Sequence, residues 1–379
     1  MDDKGEVKMN ALDFLKFELK RIYIKSLQKW DENILFSQKW NENLEKLGIA
    51  REILRKILPS SIKKTIRFYF STRSANCLYE VDSFEKKWSL DFLIYIIEKN
   101  PKVPLEFFHE EDQKEVKKFM RNKILCSLFD YIPKKDLFDE SDVKKQREWE
   151  EFLKKNKIKK RKNYYEFLGF KSLIPQFEPS VFLGKHGIDY LNQKNRIKNS
   201  VIIDCGASIG DSAFVLNNEL KPKEIICIEP NEENFKILRA NMKLNNIKNA
   251  RLFKIALGEK KSKGEIKIPT SIGGSYIVET EKGKVDISTI DDLIFNELNL
   301  QNIGLIKMDI EGYELLALKG AERTIKEFKP TLILSLYHKG QDFFEIPFYL
   351  KFLVPEYKFR FVNTNFNRAI SERILISEV

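Results

Sequence analysis

Two periodicities divide the chain. In residues 1–165 apolar side chains recur at three- and four-residue steps, as in Leu12, Leu15, Leu19 and Ile22 with Lys and Glu between them. This is the repeat of an amphipathic helix. It predicts further helices over 42–58, 83–98 and 110–129, punctuated by Pro59, Pro101, Pro104 and Pro133. From about Tyr164 onward Gly169, Pro175, Pro179, Gly184 and Gly187 break up an aromatic-rich stretch. Its part from Phe177 to Tyr190 is expected to lie against the ligand mouth of the C-terminal domain. Beyond residue 200 the pattern becomes short solid apolar runs alternating with helical segments. Residues 201–204, 225–229, 251–255, 303–309 and 331–336 read as strands buried on both faces. Residues 231–245 read as a helix with Phe235, Leu238 and Met242 on one face, and 357–362 with 373–376 as a closing hairpin. Such alternation demands a parallel sheet. The predicted fold class is α/β: a doubly wound, seven-stranded, mostly parallel sheet in residues 166–379. It follows a mainly α-helical N-terminal domain, residues 1–165, read as the part that recognises substrate or partner.

Right-handed crossovers place the loops after strands one, two, four and five at the carboxyl edge, where open α/β sheets hold ligands. The first such loop lies in Val-Ile-Ile-Asp-Cys-Gly-Ala-Ser-Ile-Gly-Asp-Ser, residues 201–212. Asp204 ends the strand, Gly206 permits a tight turn and Gly210 permits close helix packing. Dinucleotide sites use a related layout, but Ser208 stands where their second glycine belongs. Asp211 at the helix entrance would repel a phosphate. A carboxylate there suits a ligand with a cationic amine and a sulfonium, so Asp204, Gly206, Ala207, Ser208 and Gly210 favour S-adenosylmethionine over NAD or ATP. The next strand ends in Glu229-Pro230, at the spacing where an acid accepts hydrogen bonds from ribose hydroxyls. The alternative role for Glu229, capping the next helix, is one that Asn231 can fill.

The chemistry is expected at strands four and five. Lys307 and Asp309 are two apart in a strand and face the same way. Asp309 falls at the carboxyl edge, and His338 comes after strand five beside it. His338 is read as the general base, with Asp309 orienting it or binding the acceptor or the cofactor amine. Glu311 and Glu314 are read as serving the positive end of the next helix, and His186 reaches the mouth only through its loop. Asp309 with a neighbour could hold a divalent metal, yet no dedicated ligand cluster is visible, so no metal is assigned. Trp30, Trp40, Trp88 and Trp149 read as packing residues and His109 as a surface histidine.

The chain of 379 residues is 42% hydrophobic and 32% charged, enough for two domains. Its net charge of +11 lies wholly in residues 1–200 and peaks over Lys154–Lys162. A solvated linker or helix face is the simpler account of that run. The sharper account is attraction to a phosphorylated glycan, an anionic membrane surface or nucleic acid. Cys77, Cys126, Cys205 and Cys227 have neither disulfide nor zinc spacing, which fits a reducing cytoplasm. The polar start shows no secretory signal, and the apolar stretch at Phe92–Ile97 is too short to span a bilayer. A cytoplasmic protein is expected, with membrane contact, if any, peripheral.

Residues 201–379 resemble the FkbM-type family of S-adenosylmethionine-dependent methyltransferases. The carriers are Asp204–Gly210, Ile228-Glu229-Pro230-Asn231, Ile255-Ala256-Leu257-Gly258, Ile287–Leu293, Lys307–Glu314 with its Asp-x-Glu-Gly-x-Glu core, Leu318–Ala321, Tyr337-His338-Lys339 and Glu345-Ile346-Pro347. Cys205 replaces a usual aliphatic residue and Ser208 a frequent asparagine. The resemblance implies the Rossmann-like class I methyltransferase sheet, S-adenosylmethionine as cofactor, Ala256 among the cofactor-binding residues, and a hydroxyl acceptor on a sugar or natural product. The expected activity is O-methylation of a sugar, glycan or related small-molecule precursor, phosphorylated and nucleotide-linked ones included. Ribose 2′-O methylation of nucleic acid is the rival, weakened because no RNA-binding module is visible. A non-catalytic scaffold retaining the cofactor fold is the third reading.

Overall fold

A computed structural model describes residues 10–18, 78–267 and 276–379. The helix expected over 42–58 lies outside these residues, as do Leu19, Ile22, Trp30, Trp40, Pro59 and Cys77. The chain divides into two units, residues 1–103 with 117–139, and residues 104–116 with 140–379. The first unit is mainly helical. Its helix Ser83–Lys99 starts where Asp82 accepts hydrogen bonds from the Phe84 and Glu85 amides, satisfying two of the donors a helix start leaves open. Leu78–Glu80 pairs antiparallel with Tyr131–Pro133, and Phe92 meets Phe119 edge-on at 5.9 Å in its core. Among the described residues no helix is long and apolar enough to cross a membrane.

The second unit is built on seven strands: β1 Val201–Cys205, β2 Glu224–Ile228, β3 Ala250–Phe253, β4 Ile303–Met308, β5 Thr331–Ser335, β6 Lys358–Asn363 and β7 Arg373–Glu378. They lie in the order β3-β2-β1-β4-β5-β7-β6. β7 alone runs opposite in direction to the other six strands, so this is the doubly wound sheet with a closing hairpin that the apolar runs predicted. β1, β4 and β5 are buried along their whole length. That is why their sequences are near-continuous apolar runs rather than alternating ones. The helices that position the site are α1 Asp211–Leu220, α2 Glu232–Leu244, α3 Glu314–Lys319, α4 Glu322–Phe328 and α5 Gly340–Leu353. Asn231 caps α2 by accepting from the Glu233 and Asn234 amides, which leaves Glu229 to another task.

Two features depart from the expected pattern. Between β3 and β4 a separate four-stranded sheet forms from Ala256–Leu257, Ser262–Lys267, Tyr276–Glu279 and Val285–Ser288. Among the described residues its core is Ala256, Ile277 and Ile287 with a few partly buried neighbours, too few apolar positions to register as strands in the sequence. The basic run is not simply a linker or a helix face. It begins in the last turn of helix Glu140–Lys155 and passes into a three-stranded antiparallel sheet of Lys159–Lys160, Tyr165–Phe167 and Phe170–Ser172.

Candidate active site

The turn after β1 is held from three sides. The Gly206 and Ala207 amides both donate to the Ile228 carbonyl at the end of β2, at 2.9 and 3.0 Å. The Asp309 amide donates to the Cys205 carbonyl at 3.1 Å. Gly206 has φ +78°, and a Cβ there would sit 2.0 Å from the Asp309 carbonyl oxygen, so only glycine lets the first and fourth loops approach this closely. Gly210 permits the close helix packing expected of it: a Cβ there would collide with Met242 and Leu238 of α2.

Glu229 joins the first and second loops. Its Oε2 accepts from the Ser208 amide at 3.0 Å and its Oε1 from the Asn231 amide at 2.9 Å. Pro230 follows it, partly exposed. Ala256 is buried in the small sheet, where its strand pairs with Val285–Ser288. Asp211 is buried, accepts from the Ser212 amide, and burial lifts its carboxyl to about 6.

Asp204 is fully buried, its side chain turned inward. Its Oδ1 lies 3.1 Å from Lys307 Nζ, and its Oδ2 accepts from Ser212 Oγ at 2.6 Å. Lys307 also donates to the Gly206 carbonyl at 3.0 Å. Burial works against the Lys307 charge, but Asp204 and Asp309 outweigh it and hold the ammonium above its ordinary range. The sequence showed Lys307 sharing a face with Asp309 but did not reveal this ion pair to β1.

Asp309 and His338, forecast as neighbours, are neighbours. His338 Nε2 is 3.6 Å from Asp309 Oδ1 and 3.5 Å from Glu311 Oε2, and Nδ1 is 3.0 Å from Glu314 Oε1. Burial alone would discharge the imidazole. Glu314, Glu311 and Asp309 reverse that and raise it to about 10. That direction favours the imidazolium at neutral pH and runs against the reading of His338 as the proton acceptor. Asp309 is opposed by burial but held below the ordinary carboxylate range chiefly by Lys307 and His338. Its side chain is 24% exposed and that of Glu311 29%, whereas His338 and Glu314 are sealed.

Glu314, expected to serve its own helix, turns inward to His338 and also accepts from the Ile310 amide at 2.9 Å. Tyr337 and Glu372 complete the mouth. The Tyr337 hydroxyl lies 3.2 Å from Asp309 Oδ1 and 3.3 Å from Glu372 Oε1. Burial, then Asp309 and Glu178, push Glu372 up to about 8. One phenolic proton cannot serve two carboxylates, and a protonated Glu372 removes the conflict. His186 is buried in the loop expected at the mouth, and burial with Lys307 drives it down to about 3, so it is neutral. Asp309, Glu314 and His338 bring one ligand atom each within 4.8 Å of one another, a set that could hold a divalent cation. The sequence allowed Asp309 as a metal ligand but did not show Glu314 and His338 gathered beside it.

The sequence profile described as the methyltransferase FkbM domain matches residues 204–361. Methyltransferase 1 of Beauveria bassiana is 22% identical over 168 residues, covering 38% of this chain and 68% of that protein. The hexuronic acid methyltransferase AglP of Haloferax volcanii is 26% identical over 149 residues, covering 38% of this chain and 59% of that protein. The crystal structure of the methyltransferase FkbM from Methylobacillus flagellatus superposes with a TM-score of 0.48 at 20% identity, over 77% of this chain and 60% of that one. The chain thus spans about 60% of the length of two of these three relatives.

Proposed function

We propose, on the premise that residues 204–361 belong to the FkbM methyltransferase family, whose cofactor is S-adenosylmethionine, that the protein O-methylates a hydroxyl of a sugar or glycan precursor. The observation that carries this reading is the acid-lined mouth, with the partly exposed Asp309 set between the His338 imidazolium and Tyr337. Ionised carboxylates only accept hydrogen bonds, and a sugar face offers hydroxyl donors. The hexuronic acid named for the haloarchaeal relative supports the same acceptor class.

The turn Gly206–Gly210 suits the methionine end of the cofactor. Glu229, whose oxygens keep lone pairs beyond the two amides they bind, suits ribose hydroxyls. Pro230 and Ala256 belong to the same cofactor assignment. The bound cofactor supplies an activated methyl group, so most of the acceleration comes from alignment. The acceptor oxygen attacks the methyl carbon as the carbon–sulfur bond breaks, and the hydroxyl proton passes to Asp309. His338 already carries its proton, so it holds Asp309 ionised and oriented. The base and orienting roles read from the sequence thereby change places.

The test is transfer of labelled methyl to neutral sugars, hexuronic acids and RNA. D309N should lower turnover on sugars by about 10²-fold or more, within the range a positioned base supplies, while leaving the thermal shift with S-adenosylhomocysteine intact. Label entering RNA alone would refute the acceptor class, and full turnover by D309N would refute the role of Asp309.

A further inference from the structure

We propose that the three-stranded sheet of residues 159–172, with the lysine run that enters it, is a docking surface for an anionic lipid bilayer. The run holds six lysines and one arginine in nine positions, all seven exposed. Arg161 pairs with Glu166 at 3.2 Å. Among the described residues none of the six lysines has an acidic partner. The register sets Glu166 between Lys159 and Lys171 across the three strands, so one acid faces outward among several cations.

This surface is a rigid platform. Phe167 and Phe170 turn inward onto Phe182, and Phe170 meets Phe214 of α1 at 5.2 Å. The Lys171 and Leu173 amides donate to the side chains of Asn245 and Asn241 at the end of α2. Asn241 in turn donates to the Ile209 carbonyl at 2.8 Å, which ties the platform to the turn after β1.

The independent sign is the tip. Phe167 pairs with Phe170 around a two-residue turn, in which Leu168 has φ +48° and Gly169 φ +86°. Two successive positive values define a turn that favours Asn-Gly. A leucine is a costly residue there, and 40% of its surface stays exposed. The strand register puts this tip at the same end of the sheet as Lys157 and Ile158, and Ile158 is 45% exposed. Aliphatic tips among unpaired lysines match a bilayer interface, where the side chains enter the acyl boundary and the ammonium groups meet anionic headgroups. A single-stranded nucleic acid would ask for open aromatic faces, and Tyr164 is already covered by the Lys171 ammonium at 5.8 Å. The inference is independent of which hydroxyl is methylated.

Co-sedimentation of the full chain with phosphatidylcholine vesicles, with and without phosphatidylglycerol, tests it. Binding should require the anionic lipid and weaken with salt. Changing Lys157, Lys159, Lys160 and Lys162 together to Gln should reduce the partition coefficient about 10²-fold or more, at about fivefold per lysine. L168N puts a favoured residue in the turn, so it should hold or raise Tm while weakening vesicle binding. Equal binding to neutral vesicles, unchanged binding by either variant, or preference for single-stranded RNA over anionic vesicles would each overturn the proposal.

Discussion

The ion pair between Lys307 and Asp204 is the sharpest point at which to test how the site is held together. Both side chains are sealed from solvent and their charges lie 3.1 Å apart. At an effective dielectric near 20 that separation is worth about 5 kcal/mol of attraction. Most of this offsets the cost of taking two charges out of water, so the pair itself adds little net stability. Removing one partner is different, because the other is left charged and buried, which costs about 3–5 kcal/mol. K307M strands Asp204 with Ser212 alone, and D204N strands Lys307 against the Gly206 carbonyl. Each single variant should therefore lose about 3–5 kcal/mol. The double variant should lose at least about 2 kcal/mol less than the sum, because contacting residues couple. Hydrogen exchange of peptides spanning 201–212 and 303–309 reads this locally, since β1 and β4 exchange only when this part of the sheet opens. Single variants within about 1 kcal/mol of the parent, or strictly additive losses, would refute the argument.

The native chain should hold more protons than the unfolded chain above neutrality, because His338 is raised to about 10 and Glu372 to about 8. The His338 contribution is complete below its unfolded value near 6.5 and is lost as pH rises through about 10. Tm should therefore fall between pH 7 and 10, and H338N should flatten that fall; a parent profile that stays flat across this window would contradict the imidazolium assignment. G206A should cost about 2 kcal/mol or more, since it adds a strained φ of +78° to a collision with the Asp309 carbonyl. Its stability and its affinity for S-adenosylhomocysteine should fall together, and retention of both would show that the two loops can separate freely.

The sheet was legible because burial on both faces leaves a signature that polar neighbours cannot blur, as Val201–Ile203 and Ile303–Ile306 show. Asp309 and His338 could be brought together from sequence because parallel topology sets adjacent strand ends side by side. Their electrostatics could not. Glu314 was read as serving its own helix, yet its carboxylate turns back to the Ile310 amide and His338. Glu372 arrives from the start of the antiparallel β7, whose position depends on the closing hairpin and has no local motif. The imidazolium state of His338 arises from three carboxylates that only the folded chain gathers. The tip at Leu168 was hidden for a related reason, because the sequence marks the glycine of that turn but not the register that exposes the leucine beside it.

The charge at the mouth also bears on the direction of the proposed reaction. Asp309, Glu311 and Glu314 surround one imidazolium, while Lys307 is largely committed to Asp204. The cluster as a whole, three carboxylates around one imidazolium, is therefore negative on balance, although Lys307 and His338 keep Asp309 itself ionised. A sulfonium is attracted to such a field, and the thioether left after methyl transfer has lost that charge, so the product is held less tightly than the donor. The same field constrains the acceptor. A hexuronate would have to present a hydroxyl to Asp309 with its own carboxylate turned away, because two carboxylates at contact distance repel. Neutral sugars and methyl-esterified uronic acids should then show lower KM than the free acid, by about tenfold for each 1.4 kcal/mol of repulsion relieved. Tighter use of the free acid would place a cationic contact at the mouth and reverse the argument.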